Sequence, residues 1–321
     1  MTLEPGYITL VSGESPCRIM DGLADGFMRW LGKERVRLHF VLGTSVDSQE
    51  FRPFQPVYEW VRHGTWEWAP GRSNLLVVST RSIENVSEWI NAQGFHCAMA
   101  TVDARDTPCN ETMGLTPTAT IQVPFKSELA YNNLNAEVFS CPSGLVPESL
   151  PVLKPWADRS IPVSCLLGLS NITRPAIADA IRSLPGARVE MGTCLDRQEY
   201  LDILLDSKLS VACYGAGFNS YRYWEIPYCG AGLVAQRTPL LIPHDFQHGV
   251  QALFYGSPHE AITVIQEALV HPQETEAMML AGTHHVLTYH LTINRAQYLT
   301  SILLAKVQAH LAEQVLRSFP F

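Results

Sequence analysis

Residues 220–232 read SYRYWEIPYCGAG, and within them Arg222 and Glu225 stand three apart among aromatic side chains. On a helix that spacing puts a guanidinium and a carboxylate on one face. The rigid fork of arginine suits a diphosphate, and a carboxylate accepts from two vicinal hydroxyls, so together they suit a ribonucleoside diphosphate. The same spacing also describes an exposed ion pair worth roughly a few tenths of a kcal/mol. Just upstream, YGAGFNS (214–220) follows an apolar run. Tyr214 opens this loop, Gly215 and Gly217 let backbone come close to a ligand, and Ser220 or Asn219 could cap the helix behind them. Pro227 would remove a helical hydrogen bond and clash with the preceding turn, so that helix must be short or kinked.

A second loop, LLGLSNITRP (166–175), sets Gly168, Ser170 and Arg174 between an apolar run and Pro175 at the first position of a helix. A helix start exposes unpaired N–H groups with positive partial charge, which favours phosphate, and Arg174 adds a full cation. The loop is neither GxxxxGK[ST] nor GxGxxG, and an ordinary capped turn reads the same way. A third candidate closes FHCAMATVDARD (95–106), where Asp103, Arg105 and Asp106 follow a buried strand; Gly94 before it reads as the end of a helix. Asp is common at such turns for purely local reasons. His284, His285 and His290 raise the question of a metal, but no second cluster completes a site, and histidines bonded to water or backbone are the plainer reading. No motif calls for a metal or a cofactor.

These loops need strands and helices to hold them. Apolar runs at 7–11, 36–43 and 75–79 alternate with helical patterns near 18–31 and 83–94, and 118–125 and 136–144 add short strands. The alternation restarts at 163–169, 187–192, 209–215, 232–236 and 253–256, with helices near 175–184, 196–206 and 258–270 and two more toward the C-terminus. Strands alternating with helices imply parallel, doubly wound sheets. Between the halves, residues 142–162 carry five prolines and no periodicity, the signature of a connector. The expected organisation is α/β with two Rossmann-like domains, 1–155 and 156–321, closed by an amphipathic packing helix over 294–319.

The chain has 321 residues, 46% hydrophobic and 17% charged, enough for two cores. A formal net charge of -8 without a Lys/Arg run argues against extended nucleic-acid binding. Eight scattered cysteines without a C-x-x-C pair read as reduced thiols, several of them in apolar runs. No signal-like start and no stretch of about 18 apolar residues occurs, so a cytoplasmic protein without a transmembrane segment is expected.

The run EYLDILLDSKLSVACYGAGFNSYRYWEIPYCGAG, followed by IPHDFQHG and then by LFYGSPHEAI through THHVLTYHLTINRAQYL, resembles the C-terminal domain of GT-B glycosyltransferases, in particular the spore-maturation and exostosin-like branch (glycosyl transferases group 1). The matching pieces are the loop Gly215 to Ser220, Arg222 with Glu225 and Gly230 as R-x-x-E-x-x-x-x-G, His248-Gly249, Pro258 to Glu260, Ala281-Gly282, and His290 to Thr292 with Arg295. The resemblance implies two domains facing across a cleft, with a nucleoside-diphosphate sugar held by the second and an acceptor by the first. Glu225 would take the ribose and Arg222 the diphosphate, lined by Gly168, Ser170, Arg174, Tyr214, Gly215, Gly217 and Ser220. Charge on the departing diphosphate would be met by Arg222, Arg174 and helix N-termini, without a metal.

The retaining relatives carry two glutamates eight apart, and here Gly217 stands where the earlier one belongs. An inverting reaction would need a general base, for which Asp103, Asp106 or Glu14 could serve, Asp103 first for its place at a strand end. Acceptor, donor sugar and donor base stay open. So do two other classes, a sugar-nucleotide epimerase of similar fold and a non-catalytic nucleotide-binding scaffold.

Overall fold

The computed structural model describes residues 7–13, 18–41, 73–80, 83–93, 97–104, 121–131, 138–147, 151–192 and 195–318. Glu14, Gly94, Arg105 and Asp106 lie outside these. The chain divides into two compact units, Met1–Glu148 with Leu291–Phe321, and Ser149–His290.

In the first unit the described elements are β1 (Tyr7–Ser12), α1 (Arg18–Leu31), β2 (Val36–Phe40), β3 (Ser73–Ser79), α2 (Ile83–Gln93), β4 (Ala98–Asp103), β5 (Gln122–Lys126) and β6 (Phe139–Ser140). The six strands pair in parallel in the order β2-β1-β3-β4-β5-β6. Helices cover a parallel sheet on both faces, which is why Leu75–Val78 form an unbroken apolar run with every residue buried.

The second unit is entered through residues 151–160, irregular but for one turn of 3₁₀ helix at Trp156–Asp158. Then follow β7 (Ile161–Leu167), α3 (Arg174–Arg182), β8 (Arg188–Met191), α4 (Arg197–Asp206), β9 (Ser207–Ala212), α5 (Arg222–Tyr228), β10 (Gly232–Gln236), β11 (Leu253–Tyr255), α6 (Pro258–Val270) and α7 (Pro272–Tyr289). Its parallel sheet runs β11-β10-β9-β7-β8. On one face, Val163, Cys165, Leu167, Leu209, Val211 and Cys213 pack with Ile177 and Ile181 of α3 and Ala261 and Ile265 of α6. Cys165 and Cys213 are free thiols, and burial pushes Cys165 up to about 12, so it serves as a small inert core side chain.

The last helix, α8 (Thr292–Ser318), corrects the expected division at 156–321. It packs against α1 and β4 of the first unit rather than staying with the second. Its first residue is the anchor: Thr292 donates through Oγ1 to Asp25 Oδ2 at 2.5 Å and through its backbone N–H to Leu145 O at 2.9 Å. A Cβ on Gly26 would stand 2.1 Å from Thr292 O, so the two helices meet only because that position is glycine. Among the described residues no helix is long and apolar enough to cross a membrane.

Candidate functional site

In the second sheet the chain starts at β7, runs outward to β8, then returns to β9 on the other side of β7. Crevices of open α/β sheets lie at the C-terminal ends of the strands that flank such a reversal. The two loops singled out by their residue types leave from these two strands, Gly168–Thr173 from β7 and Cys213–Tyr221 from β9.

Arg174 ties the loops together. It is 3% exposed, and its guanidinium donates to Tyr214 O at 2.5 Å, Gly168 O at 2.8 Å and Cys213 O at 3.4 Å. Asn171 adds a bond from Nδ2 to Gly215 O at 2.9 Å. A Cβ on Gly215 would come 3.1 Å from Arg174 Nη2, a tight contact, and the Gly215 N–H turns back onto Gly217 O at 3.0 Å. Ser170 Oγ is the next neighbour of that point, at 3.5 Å. Gly168, Ser170, Arg174, Tyr214, Gly215 and Gly217 thus come together, with Arg174 acting first as a backbone staple. Tyr214 is half-buried with its ring edge on Phe218, and burial pushes its phenol up to about 12.

Arg222 opens α5. The Nε of this half-buried side chain has no hydrogen-bond partner among the described residues. It lies near enough to Arg174 that, after burial, its like charge is the main influence lowering the Arg174 guanidinium below its usual value. Two cations therefore share the switch point, and among the described residues neither forms an ion pair with a carboxylate.

Glu225 lies one turn on, 9% exposed. Arg222 and Glu225 form no ion pair with each other, which disposes of the surface-pair alternative. Glu225 instead accepts from Arg197 Nη1 at 2.6 Å on Oε1 and from the Tyr200 hydroxyl at 2.8 Å on Oε2. Burial first and Glu225 second hold the Tyr200 phenol well above its ordinary value, so it remains a donor. The Tyr200 ring centroid is 5.6 Å from the Arg197 guanidinium and 6.0 Å from that of Arg222. Arg197 and Tyr200 escaped the sequence reading. Their one signal was the i,i+3 spacing in DRQEY on a helix whose partner is far away in the chain.

α5 is seven residues long, as Pro227 demands. The expected cap is corrected: the N-cap is Tyr221 with no side-chain cap bond, and Ser220 contributes its carbonyl, to Tyr223 N at 3.0 Å. The helix stops in a Schellman motif, with Ala231 N bonded to Ile226 O at 3.2 Å and Gly230 N to Pro227 O at 2.9 Å. Gly230 takes φ 72, and a Cβ there would also stand 2.7 Å from Arg159 Nη2. That turn sends the chain directly into β10 and seats the Arg222 and Glu225 helix against the sheet.

Two other expectations fall elsewhere. Asp103 ends β4 directly beside Lys126 on β5, with 3.1 Å between Oδ2 and Nζ and both side chains essentially fully buried. Such a pair stabilises the anion and shields it, so the geometry supports an ion-pair role for Asp103 and gives no support to a general base. Of the histidines, His285 Nε2 hydrogen-bonds His244 O at 2.7 Å and buried His290 stacks on Trp224 at 4.4 Å.

Residues 171–301 match the family model described as glycosyl transferase-like. No curated protein matches the sequence. Among solved structures, Anabaena HepE in complex with UDP is similar with a TM-score of 0.63 and 11% identity, over 93% of this chain and 100% of that one. An alpha-glucosyltransferase in complex with UDP and a 13-mer DNA containing a HMU base gives 0.58 and 9%, over 94% and 100%. A glycosyltransferase from Rickettsia africae gives 0.54 and 8%, over 95% and 99%. At such identities these structures establish the fold, while the family model spans Arg174, Arg197, Tyr200, Arg222 and Glu225. Model and fold agree: the chain has the GT-B fold and carries a glycosyl transferase-like domain over residues 171–301.

Proposed function

We propose that the protein transfers a sugar from a nucleoside diphosphate to an acceptor, with the donor nucleotide held at the switch point of the second sheet. The observation that carries this is the grouping of Arg222, its Nε without a hydrogen-bond partner among the described residues, with Arg174 and the oriented Glu225 carboxylate where the strand order reverses. Arg222 takes the diphosphate, backed by the charge of Arg174 and by the backbone of the Gly215 to Gly217 loop. Glu225 takes the ribose, since each of its oxygens keeps a lone pair beyond the bonds from Arg197 and Tyr200. UDP is the first nucleotide to test, because HepE and the alpha-glucosyltransferase were both solved with it.

As the glycosidic bond breaks, negative charge grows on the leaving diphosphate. Donors already in place meet that charge without reorganising, which is the usual source of the largest rate effect in such sites. Two guanidiniums supply the charge that a divalent ion would otherwise provide, so the reading includes transfer without a metal. The first unit is the place we assign to the acceptor.

A thermal-shift panel of nucleoside diphosphates and their sugars tests the reading. A ligand present at about 100 times its Kd stabilises the folded protein by about 2.7 kcal/mol. Wild type should show such a rise with at least one nucleotide, Glu225→Ala should lose most of it, and Arg222→Met should cut turnover by about 100-fold. Turnover should persist in EDTA. Product from donor alone would instead mark an epimerase, binding without turnover a scaffold, and no shift with any nucleotide would remove the donor site altogether.

A further inference from the structure

Glu225 is not a lone side chain reaching for a ligand. A glutamate's terminal torsion is broad and two-fold, so a free carboxylate presents its lone pairs over a wide range of directions. Here two donors from α4 act on opposite oxygens, Arg197 at 2.6 Å and Tyr200 at 2.8 Å. Together they fix the plane of the carboxylate and occupy one acceptor direction on each oxygen. The directions that remain number one per oxygen, held at the separation the carboxylate imposes, and two vicinal hydroxyls need just such a pair. Arg197 also sets a countercharge beside this carboxylate, whose side chain is 11% exposed.

The element carrying these donors is itself anchored. Asp196 caps α4 by accepting from Glu199 N at 2.9 Å, and the helix runs without a break into β9, the strand that leads to the Arg222 loop. The Tyr200 ring lies beside the Arg222 guanidinium as well. One side chain therefore bonds the group assigned to the ribose and lies near the group assigned to the diphosphate.

We propose that Arg197 and Tyr200 are positioning residues that orient the Glu225 carboxylate and thereby set the preference of the site for a ribose with both hydroxyls. This rests on the assignment of Glu225 to the ribose made above. Neither residue is placed on the ligand, so the signature is a change in discrimination, not a general loss of binding.

Calorimetric titration with UDP, 2′-deoxy-UDP and inorganic pyrophosphate tests this on wild type, Tyr200→Phe, Arg197→Gln, Arg197→Lys and Glu225→Gln. Wild type should prefer UDP over its deoxy form by about tenfold, the worth of one hydrogen bond to a charged group. Tyr200→Phe and Arg197→Gln should reduce that preference to about two- to threefold while pyrophosphate affinity stays within about twofold, and Arg197→Lys should retain part of it. Tyr200→Phe removes a single oxygen, so the test stands even where Arg197→Gln fails to fold. A preference lost in Glu225→Gln but intact in both Tyr200→Phe and Arg197→Gln overturns the positioning role and leaves the ribose assignment standing. So does a fall in all three affinities alike in Tyr200→Phe, which marks a merely structural residue. No preference in wild type, or one unchanged in Glu225→Gln, overturns the ribose assignment and the positioning role with it.

Discussion

The two sheets share the arrangement in which the first strand has the second on one side and the third on the other, yet their C-terminal edges carry different chemistry. At the edge of the first, Asp103 and Lys126 face each other from neighbouring strands and neutralise one another in the interior. At the edge of the second, Arg174 and Arg222 repel each other, the former bonded to backbone carbonyls and the latter with a buried Nε that has no hydrogen-bond partner among the described residues. A neutralised pair contributes to holding its unit together. An uncompensated one lowers stability and leaves an anion something to bind, the usual trade between stability and function at a site.

Replacing one member of each pair by methionine tests this contrast most strongly. Lys126→Met leaves the Asp103 carboxylate buried without its lysine and should destabilise the protein by about 3–5 kcal/mol in chemical denaturation. A small effect would show that the first edge is not held by its ion pair. Within the second edge, Arg174→Met strips the donor from three carbonyls and should cost about 2–3 kcal/mol. Arg222→Met should change stability by no more than about 0.5 kcal/mol, and in the upward direction, since it removes a like charge and an unpartnered donor. Equal losses for the two arginines would erase the distinction between staple and ligand-binding cation.

The surface pair Lys154 with Asp206, 2.6 Å apart, sharpens what burial contributes. Burial works to raise the Asp206 carboxyl, but bonds from Lys154 and Ser160 outweigh it and hold the group below the usual carboxylate value. A depressed carboxylate contributes stability above its unfolded value and loses it as pH falls through the folded one. Lys154→Ala should therefore cost less than about 1 kcal/mol at neutral pH, against several for Lys126→Met, and the difference from wild type should vanish on acidification.

Much of the architecture was legible because it is written in local patterns. The βα alternation, the seven-residue limit that Pro227 puts on α5 and the turn at Gly230 each depend on residues a few positions apart. The R-x-x-E spacing marked Arg222 and Glu225 for the same reason. Three things were not legible. The last helix looked like the end of the second unit until Thr292 and Gly26 joined it to α1. Arg174 looked like a free cation until the carbonyls of Gly168 and Tyr214 converged on it. Arg197 and Tyr200 carried no motif at all.

The physical reason is range. Backbone conformation, amphipathic period and helix ends are decided by near neighbours, so the amino-acid order alone determined two doubly wound units, the loops after β7 and β9, and the acid and base three apart on one short helix. Which hydrogen-bond acceptor an arginine finds depends on strands and helices dozens of residues away. Only the tertiary structure could decide that Arg174 would be bound to backbone carbonyls, that Arg222 would lie beside it, and that Glu225 would be held by a neighbouring helix rather than by its own.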